Sequence, residues 1–280
     1  MKIALTHVYN ESYLLKWWIP HHKKRFDHGV IVDYNSTDGT RELVKQLAPD
    51  WEYIQSRNAM FGAEDNTLEM TDIEWDLQKR YPGAWMISLT ATEFFIGDTS
   101  KLVQDDKQHD LYVACDIMVS SLNEAFIEPD PEKPLIEQRF HGIPLEWNER
   151  TKNNMMASKF DTACIQAGAN HIMSQRMMRA LHNFSFDYIK NVGAGRHAWK
   201  EPVDDFRIFW YGYSPLTEEL IKRKLQVQTK IPKSDVMRGM GISNILDRDL
   251  YLRKYKFHLD FGLVDLRETV SRLEGDKYLE

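Results

Sequence analysis

The chain has 280 residues, and its 36 Lys and Arg against 42 Asp and Glu leave a formal net charge of −6. That length holds one large α/β domain with a sizeable core, and the mild acidity argues against a nucleic-acid binder, whose footprint is a basic excess. Cys115 and Cys164 are too few for a zinc cluster or a disulfide framework and suit a reducing compartment. The apolar stretch after Met1 is too short for a signal peptide, and no window reaches the ~18 apolar residues of a membrane span, so a cytoplasmic location is expected.

Lys2 to Val8 reads as a first strand, and Leu14, Leu15, Trp18, Ile19 and His22 then recur at helical spacing. Val30-Ile31-Val32 is a second strand, followed by the dense turn Asp33-Tyr34-Asn35-Ser36-Thr37-Asp38-Gly39-Thr40. Ser36 or Asp38 is placed to cap the next helix, whose stripe is Leu43, Val44 and Leu47. Trp51 to Gln55 is a third strand and Asn66 to Arg80 a helix that Pro82-Gly83 ends. Trp85 to Leu89 is a fourth strand running into Thr90-Ala91-Thr92-Glu93-Phe94. This alternation predicts an α/β fold, a mostly parallel central sheet covered by helices, with ligands bound beyond the carboxyl ends of the strands.

The second half is less regular. Leu111 to Met118, Asp161 to Gln166 and Phe206 to Tyr211 read as strands, Thr217 to Gln226 as a charged helix, and Ile231 to Ile245 as loop. One domain over residues 1–245 is expected, with a nucleotide half (1–110) and an acceptor half (111–245), followed by a helical extension (246–280) packed outside the sheet. The scattered histidines make no zinc site, and no nucleophile elbow or P-loop is present.

Asn10-Glu11, the Trp18-Ile19-Pro20-His21-His22 helix, the Asp33 to Thr40 turn and Trp85 to Phe94 together resemble the start of a nucleotide-sugar glycosyltransferase of the GT-A fold, in the family-2-like group. Trp210-Tyr211-Gly212-Tyr213-Ser214 before a Lys/Arg helix adds a weaker echo. The resemblance implies transfer of a sugar, most simply from a UDP-sugar, to a glycan hydroxyl with inversion. It places the nucleotide over the strand ends, with Asp33, Asn35 and Ser36 on one wall, Thr6, Val8 and Asn10 on the other, Arg57 reaching base or diphosphate, and Thr90 and Thr92 beneath. Read alone, the Asp33 to Thr40 segment is equally an Asx/ST turn capping a helix. Glu11 and His22 read best as structural, a first-turn carboxylate and a packed imidazole.

The departures from the family pattern carry weight. Its D-x-D, which holds a divalent cation on the diphosphate, is matched here by Thr90, Ala91 and Thr92, with Glu93 alone keeping a carboxylate. Its later histidine aligns with Trp210. Hydroxyls are poor ligands for a hard cation, so no metal is expected to be required, Mg²⁺ or Mn²⁺ being doubtful. Basic side chains would then stabilise the leaving diphosphate: Arg196 and Lys200 on a Gly-flanked loop, and Arg223 or Lys224. A general base is needed. Asp116, Glu146, Asp161, Asp204 and Asp205 are available; Asp205, beside the Trp210 segment, is named, with Glu93 near the reacting carbon. Trp147, Trp199 and Trp210 are candidate acceptor platforms. Two other readings stay open, a glycosyltransferase-like binder without catalysis and a nucleotidyltransferase, although the latter's metal carboxylates and Gly/Arg-rich phosphate loop are missing from Thr6 to Glu11.

Overall fold

A computed structural model describes residues 1–105, 107–145, 178–184 and 201–275. The first four strands, β1 (Lys2–Val8), β2 (His28–Asp33), β3 (Glu52–Gln55) and β4 (Trp85–Thr90), are separated by the helices α1 (Ser12–Lys23), α2 (Thr40–Leu47) and α3 (Ala63–Arg80). They pair parallel in the order β4-β1-β2-β3, so their carboxyl ends share one edge, as the alternation predicts. A sharp turn at Ala91 and Thr92 splits the predicted continuation into β5 (Glu93–Ile96).

Beyond β4 the sheet becomes mixed. It continues through β8 (Met178–His182), β6 (Asp110–Val119), β7 (His141–Ile143) and β10 (Val264–Asp265), while β9 (Arg207–Tyr213) branches from β6 and carries β5. Among the described residues the remaining α-helices are α4 (Leu135–Gln138), α5 (Glu218–Gln226), α6 (Lys233–Met237), α7 (Arg248–Leu259) and α8 (Arg267–Glu274). The expected strand from Asp161 to Gln166 lies outside the described residues.

Period-2 alternation sets the two layers. Ile3 and Leu5 of β1 pack with Val30, Val32 and Met86 against Met70 and Leu77 of α3. Ala4 and Val8 face the other way, into a core with Leu14, Trp18 and Ile19 of α1, Val44 of α2 and Val270 and Leu273 of α8. Gly29 is required by packing, because a Cβ there would lie 2.2 Å from the Trp51 ring.

The tail carries a strand of the sheet besides its helices. β10 pairs with β7, Tyr251 and Tyr255 of α7 fill a cluster with Val119, Tyr213 and Leu216, and Glu274 is buried against Arg25 at 2.6 Å. The reason is apolar content: a helix carrying such residues on one face must bury it.

Candidate functional site

The turns after β1 and β2 are stitched into one unit. Asn10 takes a left-handed φ of 53°. Its backbone N–H donates to Ser36 Oγ at 2.8 Å, and its side-chain oxygen accepts from Thr37 N at 2.7 Å. Gln226, at the end of α5, completes the clamp by accepting from Asn10 Nδ2 at 3.1 Å and donating to its carbonyl at 2.9 Å. Asp33 accepts from Ser36 N at 3.1 Å and from the Ser36 hydroxyl. The Asx turn is therefore real, and it coexists with exposure to a cavity. Asp33, Asn35 and Ser36 line an open cavity of about 450 Å³ with Arg41, Tyr53 and Gln55.

Asp38, rather than Ser36, serves the helix starts. It accepts from Thr40 N at 3.1 Å and from Ser12 N at 3.0 Å, joining the first turns of α2 and α1. Burial pushes its carboxyl up, yet the hydrogen bonds from Thr40 and Ser12 outweigh that and hold it below the usual range.

Thr6 and Val8 do not form the opposite wall. Both are fully buried, on the face turned toward α1, because alternation sends His7 and Tyr9 to the other side. There His7 and Tyr34 lie 5.5 and 4.4 Å from Phe61, ring centre to ring centre, with Tyr9 at 6.4 Å. Lys230 Nζ sits 4.3 Å above the Tyr9 ring and donates to Ala59 O at 3.2 Å. Sequence reasoning missed this aromatic platform. Alternation marks Thr6/Val8 and His7/Tyr9 as alternatives, but only the position of α1 decides between them.

Arg57 also stays apart. Its guanidinium is exposed and pairs with Asp72 at 2.7 Å. Its backbone N–H joins Ser56 and Tyr34 on the buried Glu69 carboxylate, at 2.7, 2.7 and 3.0 Å.

At the end of β4 the Thr90 and Thr92 hydroxyls bond each other at 2.8 Å. Trp210 Nε1 donates to Thr92 Oγ1 at 3.1 Å. Glu93 is fully buried and closes the turn by accepting from Thr90 N at 2.7 Å. Arg179 of β8 grips it through Nη2 at 2.8 Å and Nε at 3.0 Å. A carboxylate so occupied is a turn anchor and not a free acid or base. This donor set does not fit a hard divalent cation: two hydroxyls, one receiving an indole N–H, and a carboxylate already neutralised. Among the described residues no group of three His, Cys, Asp or Glu is placed to hold a metal ion.

Arg223 reaches the end of β1, but it donates through Nε at 2.5 Å and through Nη2 to the Glu11 carboxylate. Burial raises the Glu11 pKa, and Arg223 opposes the shift. The expected diphosphate cation is thus first a partner for Glu11. Lys224 donates to Asn244 at 2.6 Å.

Asp205 is placed away from the strand ends. It is exposed and paired with Lys101 at 2.9 Å, beyond the Ile96 end of β5, whereas Glu93 at the other end registers with Trp210. β9 runs toward the site, so its start is remote from it. Asp204 is exposed as well, 3.7 Å from Arg207. Asp116 is buried on β6; it registers with Phe209, and its neighbour Ile117 with Trp210, so alternation turns its side chain to the opposite face of the sheet from Trp210. It accepts from Leu145 N at 2.8 Å, and burial pushes its carboxyl up to about 6, against the lowering effect of that hydrogen bond. Arg196, Lys200, Glu146, Trp147, Asp161, Cys164 and Trp199 lie outside the described residues.

No family model matches the chain, and no curated protein matches it. Among solved structures, residues 1–349 of S. aureus TarS align at 15% identity over 46% of this chain and 38% of that one, with a TM-score of 0.29. The same fragment in complex with UDP aligns at 17% over 49% and 42%, TM-score 0.30. S. aureus TarS aligns at 11% over 92% of this chain and 43% of that one, TM-score 0.33. The chain spans about two fifths of the length of these structures, and at such scores the likeness carries no argument about the site. Among the described residues no helix is long and apolar enough to cross a membrane.

Proposed function

We propose that the chain is a GT-A-like glycosyltransferase that moves a sugar from a nucleotide sugar, UDP-linked by preference, to a glycan hydroxyl with inversion and without a tightly held divalent cation. One observation carries this reading. Thr92 and Trp210 are 118 positions apart and, with Thr90, are the places where the resemblance sets the chain apart from the family's metal ligands; they meet through a hydrogen bond of 3.1 Å. A resemblance spread over distant segments would not bring both departures to one point by chance. On this reading the site architecture is kept while its ionic ligands are exchanged for an indole and a hydroxyl.

The nucleotide base lies on the Tyr9–Phe61 side, where an aromatic face offers a platform, and Thr90 donates to the ribose or diphosphate. Arg223 keeps one guanidinium nitrogen, Nη1, beyond its two bonds to Glu11 and offers it to the phosphates. Calorimetric titration with UDP and GDP, each with Mn²⁺ and with EDTA, tests the reading. Micromolar UDP binding that survives EDTA supports it; an absolute Mn²⁺ requirement refutes the metal-free site, and absence of nucleotide binding by folded protein refutes the donor site.

A second reading is favoured by the locked state of Glu93: a protein that binds a nucleotide sugar or a glycan without transfer. The double substitution Thr90→Asp, Thr92→Asp separates the two. In an enzyme it makes UDP binding Mn²⁺-responsive by at least about tenfold and makes turnover metal-dependent. In a pure binder only the affinity changes.

A further inference from the structure

The segment 221–246 differs in charge from the rest of the chain. It holds Lys222, Arg223, Lys224, Lys230, Lys233 and Arg238, of which Arg223 is taken up by Glu11 and Lys222 lies 3.9 Å from Glu219, and its own single carboxylate is Asp235, in a chain of net charge −6. That carboxylate is buried; it accepts from Ala63 N at 2.8 Å and from Arg238 at 2.5 Å. The same segment exposes apolar side chains: Met237 is 83% exposed, Ile242 42% and Ile245 40%. The β3–α3 loop is tied to it, since Phe61 N donates to Lys230 O at 2.7 Å, and this brings in Met60, 37% exposed. Lys230 over Tyr9 makes the segment continuous with the edge of the candidate site.

We infer that this rim is a docking surface for an anionic lipid bilayer. Cations alone would suit any polyanion, including an acidic glycan. Methionine and isoleucine at the tips suit an interface where apolar groups enter the acyl boundary while lysine and arginine meet headgroups. A surface of this kind, beside the strand ends, holds the site against a membrane and selects an acceptor carried there. The membrane contact does not rest on the transferase reading. That acceptor class does.

The test is co-sedimentation of the full chain with sucrose-loaded vesicles of phosphatidylcholine, with and without phosphatidylglycerol, at low and high salt. Binding is expected on the anionic vesicles alone and is expected to fall as salt screens the cations. Lys233→Glu should weaken it by at least about fivefold. Met237→Ser with Ile242→Ser should weaken it further while leaving the thermal melt and UDP binding unchanged. Equal sedimentation with both vesicle types overturns the proposal, as does unchanged binding by the serine variant. Retention on heparin without vesicle binding also overturns it and marks a soluble polyanion as the partner. Because UDP titration runs on the same samples, loss of the donor site and loss of the membrane surface are read separately.

Discussion

Two of the buried Arg–Glu pairs, at opposite ends of α1, are built differently. Arg25 and Glu274 have side chains 1% and 0% exposed. Arg25 donates twice through Nη2 and once through Nε to Glu274, and through Nη1 to His21 O; Glu274 also accepts from Gly97 N at 2.9 Å. The pair joins the end of α1 to α8, and every nitrogen of the guanidinium is used. Arg223 and Glu11 at the strand ends are 12% and 6% exposed, with Nη1 of Arg223 uncommitted. A closed pair fastens the fold. An incompletely used one, at the mouth of parallel strands, has a donor left for a ligand.

The comparison breaks most visibly at the closed pair. Glu274→Gln leaves Arg25 charged, buried and under-partnered, and should cost about 3–5 kcal/mol in urea unfolding. The double replacement Arg25→Met, Glu274→Leu should recover most of that loss; if it does not, the pair has a role other than mutual neutralisation.

Acid should reach the same region next. His21 and His22 are buried on α1; burial, the leading cause, pushes both imidazoles down, His22 to about 3. Phe95 N donates to His22 Nε2 at 3.2 Å, so the neutral ring protonated at Nδ1 is the folded form. The unfolded chain takes protons below pH 6.5 while the folded one refuses them. Stability is therefore full above that pH and falls by about 1.4 kcal/mol per pH unit for each ring, down to about pH 3 for His22. Denaturant titrations from pH 7 to pH 4 should show the slope, and His22→Gln should flatten it.

Glu11→Gln probes the open pair. It should cost less, about 2–3 kcal/mol, and should alter UDP affinity by releasing Arg223; Glu274→Gln should leave affinity alone. If both variants shift stability equally and neither touches affinity, the distinction fails. The smallest effect is at the aromatic platform, where Tyr9→Ala should weaken UDP binding by roughly tenfold, within the 1–3 kcal/mol of a base–aromatic stack, with little change in stability.

The chain read alone determined four strands alternating with helices in a parallel unit and the loops at its carboxyl edge, because apolar runs, helical spacing and turn residues are local signals; the order β4-β1-β2-β3 came from the fold. It identified Asn10, Asp33, Ser36, Thr90 and Thr92 as residues at that edge for the same reason. What each group faces was not legible. Thr6 and Val8 differ from His7 and Tyr9 only by alternation, and the helix that covers one face settles which pair is buried. Glu93 carries a carboxylate in the expected place, but Arg179, 86 residues onward, converts it into an anchor. Asp205 lies near Trp210 in sequence, yet strand direction carries it to the far side of β5. Local order follows from short-range sterics and spacing. The charge state and accessibility of a site depend on partners that only chain folding brings within hydrogen-bonding distance.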